Sequence, residues 1–240
     1  KEVGYYLFFW PWFIAAVFVA MLGSYLYLRT ADRVYDANAQ LQIKKTESDP
    51  TSFLTGGMDL FGFDKVNVEN DIAVLTSQHI LSQVVERLNL QTNLYTVGRV
   101  NEVLRYNFDY PIEFDFEEQN KFQEWKINIS NEIATISNDS LSYSFKKGEI
   151  FNKEGVIIKI SDSLFSINQD FRFVRNSLDR TISSIKENLT VTPASKLGEI
   201  VNLKIEGTNR KRNNSILNVM MGVLAEDQVN DKRKISEVSI

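Results

Sequence analysis

Cysteine is absent from the 240 residues, and histidine occurs once, at His79. Disulfides, thiolate metal sites and a cysteine nucleophile are therefore excluded. Most nucleophilic and metal mechanisms lose their usual side chains as well. Also missing are the G-x-G-x-x-G fingerprint, the P-loop, the G-x-S-x-G elbow and the H-E-x-x-H zinc motif. A net charge of −4 leaves no broad basic surface for nucleic acid. His79 has no cysteine, second histidine or positioned acid beside it in sequence, so it reads as structural or solvent-facing. What remains is ordinary globular composition, 24% charged and 43% hydrophobic, in a chain long enough for one or two domains. A chain that starts at Lys1 and stops at Ile240 inside a helical pattern reads as part of a longer protein.

Charge is missing in a second, local sense. Between Glu2 and Arg29 no side chain is charged, a run of 26 residues from Val3 to Leu28. Pro11 fits a first helical turn and would disrupt an interior. A helix from Pro11 to Leu28 would be about 27 Å long, just enough for a hydrocarbon core of roughly 30 Å. Aromatic rings collect at both ends: Tyr5, Tyr6, Trp10 and Trp12, then Tyr25 and Tyr27. Such rings favour the two bilayer interfaces. Phe13, Phe18, Leu22 and Leu28 supply apolar bulk. The run predicts a transmembrane segment over residues 1–28, in contact with a lipid bilayer. A buried core helix or a signal peptide fits less well, since MLGSYLYLRT is a poor cleavage site. The charges do not fix the orientation.

Six residues on, VYDANAQLQIKK alternates. Tyr35, Ala37, Ala39, Leu41 and Ile43 share one parity, and Asp36, Asn38, Gln40, Gln42 and Lys44 the other. This predicts a half-buried strand on a short tether from the span, its apolar face available to a helix expected at Asp71 to Leu90. Thr46 to Asn67 carries the glycine, proline and serine of a loop. Its residues Phe53, Leu54, Met58, Leu60, Phe61 and Phe63 either pack on the domain or touch a neighbour. From Asp71 to Leu90 the period becomes helical, with Leu81, Val84, Val85 and Leu88 on one stripe and Val74 extending it.

Tyr110 to Phe173 reads as short strands. Ile112, Phe114 and Phe116 alternate, as do Trp125, Ile127 and Ile129, then Leu141, Tyr143 and Phe145, then Val156, Ile158 and Ile160, and finally Phe171 and Phe173. Turn residues between them predict a small antiparallel sandwich or barrel. Asp115 and Glu117 could form a glycosidase-like carboxylate pair, but their outward parity favours a solvated face. A helix follows at Ser177–Asn188. Leu189 and Val191, then Val201, Leu203 and Ile205, form a hairpin or neighbouring strands.

From about Asn209 a helix carries Leu217, Met221, Leu224, Gln228, Asp231, Ile235 and Val238 at 4-3 spacing. This predicts the foot of a coiled coil, with an ordinary amphipathic helix as the alternative. Arg210, Lys211, Arg212, Lys232, Arg233 and Lys234 are mixed with acids and read as solvated.

In this order the motifs resemble the Wzz-type chain-length determinant family. The matching positions are Tyr35, Ala37, Ala39, Leu41 and Ile43, then Leu75, Ser77, Ile80, Leu81, Val84, Val85, Leu88 and Leu90. The block LTVTPASKLGEIVNLKIEG and the following helix with Ile216, Leu217, Asn218 and Leu224 look like the family's last strands and the start of its long arm. The β-rich segment is similar to the extra sheet of co-polymerases that are bacterial tyrosine autokinases. The expected fold is α+β in four parts. Residues 1–28 form the span, 29–109 and 176–209 a membrane-proximal α/β domain, 110–175 a β-rich insertion, and 210–240 the start of a helical arm.

The resemblance implies a bacterial inner-membrane protein, with the chain after the span mainly periplasmic. It implies a homo-oligomeric ring, often an octamer. The ring would regulate the length or export of a capsule, exopolysaccharide or O-antigen beside a polysaccharide polymerase or outer-membrane exporter. No catalytic residue, cofactor or metal is expected here; ATP and Mg would enter only with a following kinase domain. The rivals are a sensor ectodomain of a signalling receptor, a glycan-acting envelope enzyme and an adaptor of an export system.

Overall fold

The computed structural model describes residues 10–42, 72–106, 112–118, 120–130, 132–166, 169–194 and 200–238. The expectations for Tyr5, Tyr6 and Ile43, and for the loop from Thr46 to Asn67, fall outside these residues. Helix α1 (Trp10–Thr30) belongs to one compact unit, and the α+β body from Val34 onward forms the other, described by itself below.

The body is organised around two apolar cores. The first lies on a three-stranded antiparallel sheet of order β1-β12-β11, made of β1 (Tyr35–Gln42), β11 (Leu189–Pro193) and β12 (Ile200–Gly207). β1 pairs with β12 from Tyr35 opposite Gly207 to Gln42 opposite Ile200. β11 and β12 form the other pair, from Leu189 opposite Ile205 to Pro193 opposite Val201. Alternation sends Ala37, Val201, Leu203 and Ile205 into the core. Ala39, Leu41, Leu189 and Val191 pack at its margin. The opposite face is polar: Gln40 donates to Asn202 at 3.0 Å, and Lys204 lies 3.1 Å from Asp36.

Three helices complete this core: α2 (Gln78–Arg87), α3 (Leu178–Asn188) and α4 (Arg210–Val238). Two expectations need correction. The periodic stretch from Asp71 to Leu90 is not one helix. Its described part is a helical turn at residues 72–75, a break at Thr76 and Ser77, and then α2. Ser77 is extended (φ −64°, ψ 153°), and its hydroxyl accepts from the Ile80 N–H at 3.3 Å, so it caps α2 instead of continuing a helix. Val74, offered as an extension of the stripe, is 44% exposed. At the other end Asn89 takes a left-handed φ of 48°. The Leu90 N–H then bonds to Val85 O (3.0 Å) and the Asn89 N–H to Glu86 O (3.2 Å), a Schellman stop. The second correction concerns β1: α4, not α2, lies along β1, and α2 packs on α3 and α4.

The expected 4-3 seam of α4 is likewise not its packing stripe. Asn213, Ile216, Leu217, Met220, Val223 and Leu224 are buried, Met221 is only half-buried and Gln228 is exposed. This stripe follows the 3.6-residue period of a helix lying on a core. A long coiled coil is not shown, and the side chains of Asp231, Ile235 and Val238 lie outside the described residues.

The second core is a two-sheet sandwich and not a closed barrel. A six-stranded antiparallel sheet has the order β3-β2-β10-β5-β6-β7, and a three-stranded sheet the order β4-β9-β8. The strands are β2 (Thr92–Val97), β3 (Glu102–Arg105), β4 (Ile112–Phe116), β5 (Gln123–Ser130), β6 (Ile133–Ser137), β7 (Ser142–Lys146), β8 (Ile150–Lys153), β9 (Val156–Ile160) and β10 (Gln169–Arg175). Leu94, Trp125, Ile127, Ile129, Phe171 and Phe173 of the large sheet face Ile112, Phe116, Phe151, Val156 and Ile158 of the small one. The β8–β9 hairpin turns through Glu154 and Gly155, both at positive φ (56° and 71°), the geometry a two-residue primed turn requires.

α2 leads into β2, and β10 leads out into α3. Because β2 and β10 pair antiparallel, the sandwich enters and leaves the helical body side by side, with Asn176 N bonded to Gln91 O at 2.8 Å. Two asparagines tie the ends further. Asn209 donates to Leu104 O at 3.0 Å. Asn213, 4% exposed, donates to Tyr35 O at 2.8 Å and so fixes α4 to the start of β1. A Cβ on Gly207 would stand 2.7 Å from the Asn213 carboxamide oxygen. Replacing Asn213 by Ala leaves the Tyr35 carbonyl unsatisfied and is expected to cost about 1–3 kcal/mol. Denaturant unfolding of the purified full chain in detergent, with unchanged m-value, checks this.

Candidate functional site: an apolar helix and a polar cleft

The first candidate element is α1 itself. Its 21 residues would span about 32 Å as a straight helix. Mean hydropathy over its best window is 1.7, and none of the helix is buried against protein. Trp10, Pro11, Trp12, Phe13, Phe18, Leu22, Tyr25, Tyr27 and Leu28 are all exposed. An exposed helix with apolar side chains all round has no protein core to satisfy, and hydrocarbon is the solvent that suits it. Arg29 stands in the last turn, and the Thr30 hydroxyl donates back to Leu26 O at 3.2 Å, which satisfies a terminal carbonyl.

The family-pattern positions sit in the first core. Ala37 is buried, Ala39 and Leu41 are half-buried and Tyr35 is exposed at the strand end. Ser77 is the cap of α2, Leu81 and Val85 are fully buried, and Leu88 is half-buried. They form packing and not a reaction centre. His79 is 67% exposed at its side chain and lies 3.3 Å from Asp227 of α4. Beside it Arg87 pairs with Glu226 at 2.6 Å, so α2 and α4 are cross-linked at two points on their solvent face.

A polar cleft of about 350 Å³ opens where the two cores meet. Glu86, Asn89 and Gln91 from the end of α2 line one side, and Phe114, Asp115, Phe116 and Arg175 line the other. Arg175 is 4% exposed although it is a cation. Its guanidinium lies 4.0 Å from the Phe116 ring centre and donates to Thr92 Oγ1 at 2.9 Å. Burial pulls its pKa down, and the nearby Asp115 opposes this. Asp115 accepts from the Phe116 N–H at 2.9 Å and so is held to its own strand. Glu113 pairs with Lys159 at 3.1 Å, and Asp115 and Glu117 are exposed. The cleft can hydrogen-bond a polar ligand, and among its described lining residues no nucleophile stands beside a base. Among the described residues, no three histidine or carboxylate side chains gather as a metal site.

Sequence reasoning missed the arginines. Arg175 occupies the inward parity of β10 after Phe171 and Phe173, and a cation at an apolar parity was the available signal. On the outer face Arg172 bridges Glu102 of β3 and Glu124 of β5 and covers the Tyr95 ring at 4.6 Å. The Glu102 bond, more than the weaker Glu124 contact, raises its pKa.

The chain thus joins a helix long and apolar enough to cross a membrane to an α+β body with an inserted sandwich. No family model matches the chain. Among curated proteins, the tyrosine-protein kinase ptk of Acinetobacter johnsonii is 22% identical over 258 aligned positions, which cover 96% of this chain. The chain spans 34% of that relative's length. The similarity to this kinase is distant.

Two predictions follow from these elements. Leu22→Arg places a charge near the middle of α1 and is expected to disfavour insertion by about 2.5–3.5 kcal/mol. Carbonate extraction of membranes should then release the variant and retain the wild type. The Arg87 hydrogen bond holds the Glu226 carboxyl below its ordinary value. A depressed carboxylate contributes stability above its unfolded pKa and loses it as pH falls through the folded value. Glu226→Gln should therefore be slightly less stable than the wild type at pH 7 and equal to it in strong acid, by thermal melts across that range.

Proposed function

We propose that the chain is the membrane-anchored, extracytoplasmic part of a bacterial polysaccharide co-polymerase of the tyrosine-autokinase branch. The alignment with a tyrosine-protein kinase across 96% of the chain carries this reading. The order of elements supports it: an apolar helix, an alternating strand, a capped helix, a β-rich insertion, a hairpin and a long helix. The function is organisational. α1 holds the chain in the inner membrane, and the α+β body stands in the periplasm. Confinement to a plane raises the effective concentration of copies and favours closure of a homo-oligomeric ring. The ring would work beside a polysaccharide polymerase or outer-membrane exporter and regulate the length or export of a surface polysaccharide. ATP and Mg belong to this reading only through a kinase domain of the whole protein, and nucleic acid has no part in it.

Purified full-length protein in nanodiscs tests the proposal by mass photometry. One closed oligomeric species, persisting on dilution, is expected. A monomer in both detergent and nanodiscs contradicts it.

A further inference from the structure

Beside the large cleft lies a second, smaller cavity of opposite electrical character. It occupies about 40 Å³ where the end of α2, the start of β2, the end of β3 and the first turns of α4 meet. Its lining holds Leu88, Leu90, Asn93, Arg105, Tyr106 and Arg212, with no carboxylate among the described lining residues. The large cleft, by contrast, sets Glu86 and Asp115 against Arg175.

Two side chains in this lining are poorly served by the protein. Asn93 is 8% exposed, and its side-chain amide has no hydrogen-bond partner among the described residues. The Asn93 amide is not among the side-chain atoms sealed from solvent without a partner, so it opens onto the cavity. Arg212, beside Tyr106 in the lining, has no ion pair or side-chain hydrogen bond among the described residues. Burial pushes its pKa down, so the charge is only weakly compensated. Arg105 adds a second guanidinium to the wall, anchored by its Nε–H donating to Thr96 Oγ1 at 2.8 Å. Arg212 departs here from its expectation as one of several solvated basic residues.

We propose that this cavity is a binding site for a small oxyanion group, a carboxylate or phosphate, held by Arg212 and Asn93 with Arg105 at the rim. The chemistry follows from the donor set. The Arg212 guanidinium and the Asn93 amide N–H₂ can donate, and the described lining residues include no carboxylate. A volume of about 40 Å³ admits a few water-sized atoms, since one water needs roughly 10–15 Å³. That suits the oxygens of one oxyanion group and excludes a whole sugar ring. The group can be a free inorganic anion or the acidic substituent of a saccharide whose remainder stays outside. This inference stands on the cavity alone and does not depend on the co-polymerase reading.

The test is thermal unfolding of the full chain in detergent micelles at constant ionic strength. Sodium phosphate, sodium acetate and sodium glucuronate are titrated against sodium chloride. A saturable rise in Tm with phosphate or a carboxylate, beyond the chloride baseline, is expected. A response to glucuronate at lower concentration than acetate identifies the saccharide as the source; equal responses identify the free anion. Arg212→Gln and Arg105→Gln should each weaken the apparent affinity, Arg212→Gln by about tenfold or more. If Arg212→Gln does not fold, Arg212→Lys, which keeps the charge and loses the fork, should bind more weakly than the wild type. A non-saturable rise shared by all salts would overturn the proposal. So would affinity left unchanged in Arg105→Gln and in either Arg212 variant.

Discussion

The antiparallel pairing of β1 with β12 is the constraint on which the body depends. It joins strands far apart in the chain, with Tyr35 opposite Gly207. Closing so long a loop is entropically expensive, and only the burial that follows offsets it. That burial comes from α4, which continues directly from β12 and lies back along β1. Asn213 fastens the junction: its bond to Tyr35 O sets where α4 begins relative to β1. α3 packs on β11 and β12, and α2 reaches this core through α3 and α4.

The sandwich is then an insertion that costs the first core little. Its two ends are neighbouring antiparallel strands, β2 and β10, so the helical body meets it at one doorway. Buried polar groups concentrate there. Arg175, Thr92 and Gln123 lie inside the end of the large sheet, and Asn93 lies on its other side. A junction between two apolar cores is where backbone must turn and side chains must bridge, so polar groups there either find partners or wait for a ligand. The cleft and the small anion cavity are both products of this junction.

Much of this architecture was legible in the residues. Alternation at Trp125–Ile129 and Val156–Ile160 is strict because those strands have one buried and one wet face, and the structure keeps both. The hairpin of β11 and β12 and the apolar helix follow from equally local rules. Other features depended on tertiary context. β2 (TNLYTV) alternates poorly because Thr92, Asn93 and Leu94 are all buried at the doorway between the cores. Ser77 looks like one more residue in a helical period until its hydroxyl is seen to cap the next turn. The 4-3 spacing in α4 was real in sequence. Met220 and Val223, one position off that seam, face the core, because a helix on a sheet follows 3.6 residues per turn. The candidate site was the least legible part. A buried arginine looks like any other basic residue until its neighbours are known, and only the inward parity of Arg175 gave notice.

The proposed function is that of a membrane-anchored organiser of polysaccharide assembly. Its direct test is the length distribution of surface polysaccharide made by the native host with and without the gene. The account predicts that deletion abolishes the normal modal length or blocks export, and that the wild-type gene restores it. Polysaccharide of unchanged length and amount in the deletion strain would contradict it.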